Sequence, residues 1–525
     1  MTARAAKGAA RRVAKVEALE QRISVHDRHQ LELKLELMPG EGARWGRSQY
    51  AVDFYLFAPA SLNVVPDRVP RERVYSDLHN YVRLKTPELS WHELSTRADS
   101  PLVRAEVELD GALRGGEVRR FVHECKLFGT VFRATLRDAT QAIERAAADA
   151  AVAGALLDET LAGAGRAQTA FRALGVRAEG PRAPERVAVA LRLADEMASL
   201  AIERELKRAV VALERERPGC VVATRALDAL LVEDRYRRAR GYPSVLDPGT
   251  DNEAYVHRAG LLKKYCQSAL FLELRRFAAQ RRWLEVAFAA AAGLAMAFAT
   301  LIAFWAQSAY ADVGLRLFLV LVVAYMLKDR IKDGARGFFT RVLERHLYDR
   351  RTVIEDAAGT AVGVCREKVE YVRARDVPAR VRAARLAERD PALRHAEAEL
   401  HESVIHYRKE IMLDARALSE LRGSGGLADI VRFHVGFLLH GMDEPDLELD
   451  WMDLATRKLG VLSAAKVYHV DLVFRFQEPR RGGSTSVQAR RLVLDRNGIR
   501  RLEGTDAEGR VSREMPVVGG ALDAL

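Results

Sequence analysis

Residues 286–306 read VAFAAAAGLAMAFATLIAFWA, a run without a single charged side chain. An α-helix rises 1.5 Å per residue, so this run would be about 31 Å long, which matches the ~30 Å hydrocarbon core of a bilayer. The run therefore predicts a first transmembrane helix.

A second apolar run, VGLRLFLVLVVAYML at 313–327, follows after a short stretch at 307–312. It reaches spanning length only if its flanks are included. Its one charge, Arg316, lies near an end, where a long side chain can extend to the headgroups. We expect a second transmembrane helix, joined to the first by a very short outside turn. A helical hairpin buried in a soluble protein is the alternative.

Basic residues flank both runs on their outer sides, whereas the turn between them offers only Arg316. The flanking residues are Arg275, Arg276, Arg281, Arg282, Lys328, Arg330, Lys332 and Arg336. Because lysine and arginine accumulate on the cytoplasmic side of spans, both termini are expected in the cytoplasm. The arginine- and alanine-rich composition is typical of GC-rich bacterial genomes, so the expected location is a bacterial inner membrane.

Small residues recur every four positions in the first run, at Ala289, Gly293 and Ala297. This spacing places them on one helix face, where they let a second helix approach closely. The expected partner is either the second span or another copy of the chain.

The N-terminal side divides into three expected regions. Residues 1–27 are basic without a long apolar segment, which predicts a flexible arm and no cleaved signal peptide. Residues 28–115 predict an α+β part, because residues 29–37 and 50–57 have strand patterns and suggest an antiparallel pair. Residues 116–249 have helical periodicity and predict a helical region.

Residues 250–285 and 328–358 contain no proline and predict two stalk helices that continue the hairpin into the cytoplasm, with a bend permitted at Gly334 and Gly337. Residues 359–515 alternate in short β-like runs and predict an antiparallel sheet of about four or five strands, followed by a tail at 516–525. The expected fold is an α+β membrane protein: a transmembrane hairpin with long cytoplasmic stalks, an N-terminal α/β-plus-helical part and a C-terminal β-rich part.

No motif in the sequence names a reaction. There is no GxxxxGK[ST], GxSxG, HExxH, EF-hand loop or CxxC. The four cysteines lie far apart, which argues against a zinc module and a disulfide framework. The net charge of +11 suits a membrane surface or nucleic acid, but no nucleic-acid-binding module is recognisable. We expect no cofactor, and nucleic acid is not an expected partner.

The residues that come nearest to a metal site are His434, His440, Asp443 and Glu444. Two histidines six apart in a strand would share a face, and imidazole and carboxylate are both metal ligands. A strand histidine followed by a solvated loop is the simpler alternative. The acidic run at 442–453 suggests a docking loop for a basic partner or a weak divalent-cation site; the alternative is an exposed loop that opens a helix near Leu454.

These patterns favour a membrane-anchored scaffold, regulatory or sensor protein whose partners are the bilayer and either further copies of the chain or a cytoplasmic protein. One alternative is an enzyme with a scattered polar or metal site in the C-terminal part. Another is a stress or defence effector that permeabilises membranes as an oligomer.

Overall fold

The computed structural model describes residues 20–37, 47–178, 184–277, 279–309, 314–356, 359–387, 401–414, 417, 426–477, 485–505 and 511–515. The chain is a mixture of helix and strand, 52% and 29% respectively, which confirms the α+β class. The expected tail and the first part of the expected arm lie outside the described residues.

The helices are α1 (Arg71–Ser76), α2 (Trp91–Thr96), α3 (Pro101–Leu113), α4 (Val118–Arg145), α5 (Ala150–Arg177), α6 (Glu185–Glu216), α7 (Val221–Ala239), α8 (Glu253–Gln267), α9 (Ala279–Ala309), α10 (Leu315–His346), α11 (Ala379–Ala387) and α12 (Gly436–Leu439). The strands are β1 (Glu20–Asp27), β2 (Gln30–Leu37), β3 (Arg47–Pro59), β4 (Leu78–Leu84), β5 (Glu273–Phe277), β6 (Arg350–Glu355), β7 (Ala361–Val372), β8 (Glu402–Asp414), β9 (Leu427–His434), β10 (Asp446–Asp453), β11 (Lys458–Ala465), β12 (Tyr468–Gln477), β13 (Thr485–Asp495), β14 (Gly498–Thr505) and β15 (Val511–Glu514).

Two antiparallel sheets pack face to face around a shared apolar core. One has four strands in the order β1-β2-β9-β4, and the other has nine in the order β15-β14-β13-β12-β3-β8-β7-β6-β5. Leu33 and Leu35 of β2 face Phe54 of β3, whose ring lies 5.7 Å from that of Phe433 in β9. Alternation along each strand thus supplies one apolar face to the space between the sheets.

The expected pairing of the strands at 29–37 and 50–57 is wrong. Strand β2 pairs with β1 and β9, while β3 pairs with β8 and β12. Strand β2 belongs to the four-stranded sheet and β3 to the nine-stranded sheet, so their apolar faces meet across the core instead of lying side by side. The two halves of the chain are therefore one unit rather than an N-terminal and a C-terminal part.

Three expected boundaries also change. Residues 20–27 of the expected arm form β1. The expected stalk at 250–285 is interrupted, since α8 ends at Gln267 and β5 precedes α9. The expected stalk at 328–358 holds as far as the end of α10, after which β6 begins. The interruption after α8 has a structural cause, because the segment that follows α8 pairs with β4. Leu272 N–H donates to Val82 O, and Leu84 N–H donates to Leu270 O.

The predicted helical region is confirmed, and the apolar stripe seen in the sequence is the buried face of α4. Phe121, Cys125, Phe128, Phe132 and Ile143 of α4 are all fully buried. They pack with α2, α3, α5, α6 and α7 around one core, in which the rings of Phe128 and Phe171 stack at 4.1 Å. Spacings of three, four and seven place such residues on a single face.

Helix α5 passes very close to α2 at Gly163, where a Cβ atom would lie 2.4 Å from Cγ of Trp91. We expect Gly163→Ala to destabilise the helical region by about 1–3 kcal/mol, because the ring or the helix must move. The control is Gly165→Ala in the same helix, where a Cβ meets nothing within 4 Å. That change should be neutral or stabilise by about 0.5–1 kcal/mol. Thermal unfolding followed by circular dichroism compares the two, and equal effects would contradict the close contact.

Candidate functional site

The two long helices α9 and α10 pack against each other through small side chains. Ala287, Ala291 and Ala295 of α9 are buried, and their spacing of four puts them on one face; Ala324 of α10 is also buried. Small residues allow two helix backbones to approach closely. The helices therefore bury little side-chain bulk between them.

The bulky apolar side chains of the same helices are exposed instead. Leu294, Leu301 and Trp305 of α9 are 59%, 68% and 60% exposed, and Phe318 of α10 is 61% exposed. Among the described residues, one helical segment, Glu285–Ala309, is long and apolar enough to cross a membrane. The fold encloses only a small part of it. A soluble protein rarely leaves so large an apolar surface in water.

The small residues singled out in the sequence do not make the contact with α10. Ala289, Gly293 and Ala297 are exposed, and a Cβ on Gly293 would meet no heavy atom within 4 Å. The structure uses the opposite face of α9 for the contact. Of the two expected partners for this small-residue face, another copy of the chain is the one still open.

The flanking basic residues lie in two places: Arg275 and Arg276 are at the edge of the nine-stranded sheet, whereas Lys328, Arg330, Lys332 and Arg336 lie within α10, ten or more residues before its end at His346. Arg275 and Arg276 lie in β5, and Arg275 pairs with Glu355 of β6 at 3.3 Å. Arg336 of α10 lies 5.4 Å from the ring centre of Phe288. On α10, Lys328 lies 3.6 Å from the ring centre of Tyr325, with Arg330 and Lys332 following on the same helix. The side chains of Arg281, Arg282 and Arg316 lie outside the described set.

The four candidate metal ligands, His434, His440, Asp443 and Glu444, do not form one cluster. The expectation that His434 and His440 share one strand is wrong, because β9 ends at His434 and α12 intervenes. Asp443 accepts hydrogen bonds from Lys466 at 2.5 Å and from Tyr468 at 2.9 Å, while Glu444 pairs with Arg496. The side chain of His434 instead stacks on His29. Within the described part of the chain no group of three His, Cys, Asp or Glu residues could hold a metal ion.

The acidic run forms a hairpin rather than a loop that opens a helix. Among the strands that the structure describes, β10 and β11 pair only with each other, and both faces of this hairpin are exposed. Leu447, Leu449 and Trp451 lie on one face, and acidic residues alternate with them on the other. The period-two pattern of DLELDWMD was visible in the sequence and predicts a strand, so the helix expected near Leu454 missed a local signal.

A polar cluster that sequence reasoning missed lies on the outer face of the nine-stranded sheet. Asp53 of β3 is completely buried and accepts hydrogen bonds from Arg475 at 2.7 Å and from Gln477 at 2.9 Å. His406 Nε2 lies 2.9 Å from its other carboxylate oxygen. The residues come from β3, β8 and β12, which are neighbours in space but distant in sequence. Only strand register, which the sequence does not reveal, could have grouped them.

His406 is held between two carboxylates. Its Nδ1 lies 3.8 Å from Glu370, and its ring stacks on Tyr55 with 4.4 Å between ring centres. Burial opposes protonation, but the hydrogen bond with Asp53 and the nearby Glu370 carboxylate outweigh it and raise the pKa of His406. The interaction with His406, together with that of Lys368, lowers the pKa of Glu370 to about 2. The cluster thus stabilises a charged imidazole on the sheet.

A second ionic cluster lies between the sheets. Lys409 of β8 and Asp429 of β9 are buried with 2.7 Å between Nζ and Oδ1, and Tyr50 donates to the same carboxylate. Burial alone would lower the pKa of Lys409, but Asp429 raises it. The pair links the two sheets, and removing one partner of such a pair typically costs about 3–5 kcal/mol. This arrangement is closed to solvent and fixes the sheets relative to each other.

Comparisons with protein-family models, with curated proteins and with solved structures found no match. The features of this chain that bear on function are therefore its helical hairpin, its ionic clusters and its exposed surfaces.

Replacing His406 with Gln should make stability less dependent on pH. Since the folded-state pKa of His406 is raised, its contribution is full below the unfolded value of 6.5 and is lost as the pH rises through the folded value. We expect His406→Gln to lower the unfolding free energy by about 1.5–3 kcal/mol near pH 6 and by less near pH 9.

The control is His257→Gln in α8, an exposed position, which should shift stability equally little at both pH values. Chemical denaturation at the two pH values measures the difference. A deficit in His406→Gln that is the same at both would show that the imidazole acts by packing alone.

Proposed function

We propose that α9 and α10 anchor this protein in a bacterial inner membrane and that the folded body acts in the cytoplasm as a scaffold, regulatory or sensor protein. The observation that carries this proposal is the exposure of bulky apolar side chains along α9, while its small side chains pack against α10. In water this arrangement would be unfavourable, because burying those side chains is worth about 1.5–3 kcal/mol each. In a bilayer the same surface is solvated by lipid chains.

The proposed orientation follows from the basic residues beside the helices. Arg275 and Arg276 lie in β5, before α9, and Lys328, Arg330 and Lys332 follow the apolar run of α10 in the direction of β6. Cations close to a span favour the cytoplasmic side, where anionic headgroups also attract them. The sheets and the helical region would then be cytoplasmic, and the connection between α9 and α10 would lie outside.

The scaffold role is supported by two surfaces for partners. The small-residue face at Ala289, Gly293 and Ala297 would let another copy of the chain approach within the bilayer. The β10–β11 hairpin presents Leu449 and Trp451 beside acidic residues, which suits a basic cytoplasmic protein. The enzyme alternative has less support, because its four candidate metal ligands do not form one cluster. The permeabilising alternative requires several copies of the hairpin to line a pore.

Introducing arginine at two lipid-facing positions tests the anchor. We expect Leu294→Arg with Leu301→Arg to remove the protein from the membrane fraction or to cause its degradation, since each arginine near a span centre costs about 2.5–3.5 kcal/mol. The matched control is Val107→Arg with Val211→Arg, at positions 70% and 57% exposed in α3 and α6. The control should fractionate with the membrane as the parent protein does.

Membrane fractionation followed by quantitative immunoblotting reads out both variants. If the Leu294 and Leu301 variant stays folded and fractionates like the control, the apolar face of α9 does not lie in lipid and the anchor is disproved.

The orientation is tested by cysteine labelling in spheroplasts with a membrane-impermeant maleimide. We expect Ser308→Cys, near the end of α9, to be labelled in intact spheroplasts. Ala455→Cys, in the exposed turn between β10 and β11, should be labelled only after lysis. The variants are made in a Cys220→Ala background, because Cys220 is only half-buried, whereas Cys125, Cys266 and Cys365 are buried. Labelling of Ala455→Cys before lysis would reverse the proposed orientation.

A further inference from the structure

A cleft opens between α5, α6 and α7 in the helical region, away from the two ionic clusters. Its volume is about 570 Å³, within the range of small-molecule sites. Its surface combines apolar and polar side chains, among them Phe171, Leu191, Arg192, Asp195, Arg240 and Tyr242. A concave site with an apolar floor and a few convergent polar groups is the usual form of a ligand site.

The inner wall of the cleft is held in place by Asp195. Its Oδ1 accepts a hydrogen bond from Arg172 Nε at 2.8 Å, and its Oδ2 accepts from the hydroxyls of Tyr236 and Tyr242 at 2.6 Å each. The Arg172 guanidinium also lies 3.6 Å from the ring centre of Tyr236 and bonds to Glu233. Asp195, the one carboxylate among the described lining residues, is therefore fully engaged with groups of the wall.

Two further arginines line the cleft, and they differ from Arg172 in their surroundings. Arg192 and Arg240 are exposed and both lie beside Tyr242: Arg192 Cζ is 5.7 Å from the ring centre, and the interaction of Arg240 with the Tyr242 hydroxyl raises the pKa of Arg240. In the part of the chain that the structure describes, no carboxylate lies within 4.0 Å of either guanidinium. Their nearest polar acceptors are neutral, such as Gly241 O at 3.5 Å from Arg192.

Guanidinium groups present planar sets of donors that match carboxylates and phosphates. Arg192 and Arg240 both line this cleft beside Tyr242 and can supply such donors to an anion. We propose that this cleft binds a small organic anion, with its carboxylate or phosphate held by Arg192 and Arg240 and its apolar body on Phe171 and Leu191. This ligand site goes beyond the proposed anchor and does not depend on it.

The site is tested by isothermal titration of the purified full chain in lipid nanodiscs with phenyl phosphate and with 3-phenylpropionate. We expect saturable binding of at least one of these, and the tighter of the two identifies the headgroup. Benzyl alcohol, which lacks the charge, and inorganic phosphate, which lacks the apolar body, should each bind about tenfold more weakly or worse. Empty nanodiscs give the lipid background.

A charge-matched pair of variants separates the site from general attraction to a basic protein. We expect Arg192→Gln with Arg240→Gln to weaken binding at least about tenfold. Arg186→Gln with Arg215→Gln removes the same charge from exposed positions of α6 and should leave affinity within about twofold. Ala188→Phe, which fills the cleft without changing charge, should also abolish binding.

Three results would overturn the proposal: no saturable binding of either anion, equal weakening in both arginine pairs, or undiminished binding in Ala188→Phe. Circular dichroism of each variant confirms that the helices are intact. Because fractionation does not depend on this cleft, a failure here is distinct from a failure of the membrane anchor.

Discussion

The pairing of β5 with β6 is the constraint on which the rest of the structure depends. Strand β5 leads into α9, and β6 follows α10, so the ladder between them fixes both ends of the apolar hairpin at the edge of one sheet. Strand β6 then pairs with β7, and the ladder continues through β8 to β3. The hairpin is thus an extension of a nine-stranded sheet and not a tether attached to a separate body.

The same sheet has two chemically different faces. Its inner face is mostly apolar but contains the buried pair of Lys409 and Asp429, where the low dielectric makes the loss of one partner costly. Its outer face carries the Asp53 and His406 cluster, where an imidazole lies between carboxylates near solvent. One cluster fixes the sheets relative to each other, and the other links stability to pH.

Local patterns predicted the local structure well. The periodicity of α4, the alternation of β2 and the uncharged run of α9 each reflect burial or exposure along one element, which sequence spacing encodes directly. Long-range pairing was not predictable: nothing in residues 29–37 specifies β9 as a neighbour, and the grouping of Asp53 with His406 and Arg475 depends on register between distant strands. The arginines of the cleft come together for a similar reason, through the packing of α6 against α7.

The position of β9 between β2 and β4 has a consequence for how the chain is made. Strands β2 and β4 are near the N-terminus, and the strand that joins them is synthesised several hundred residues later. Until β9 emerges from the ribosome, the leucine face of β2 has only a partial sheet to support it. Pairings at such sequence separation form slowly, because loop closure precedes any gain from contact. The nascent N-terminal strands must therefore wait, through the synthesis of the helical region and the apolar hairpin, before their sheet can close.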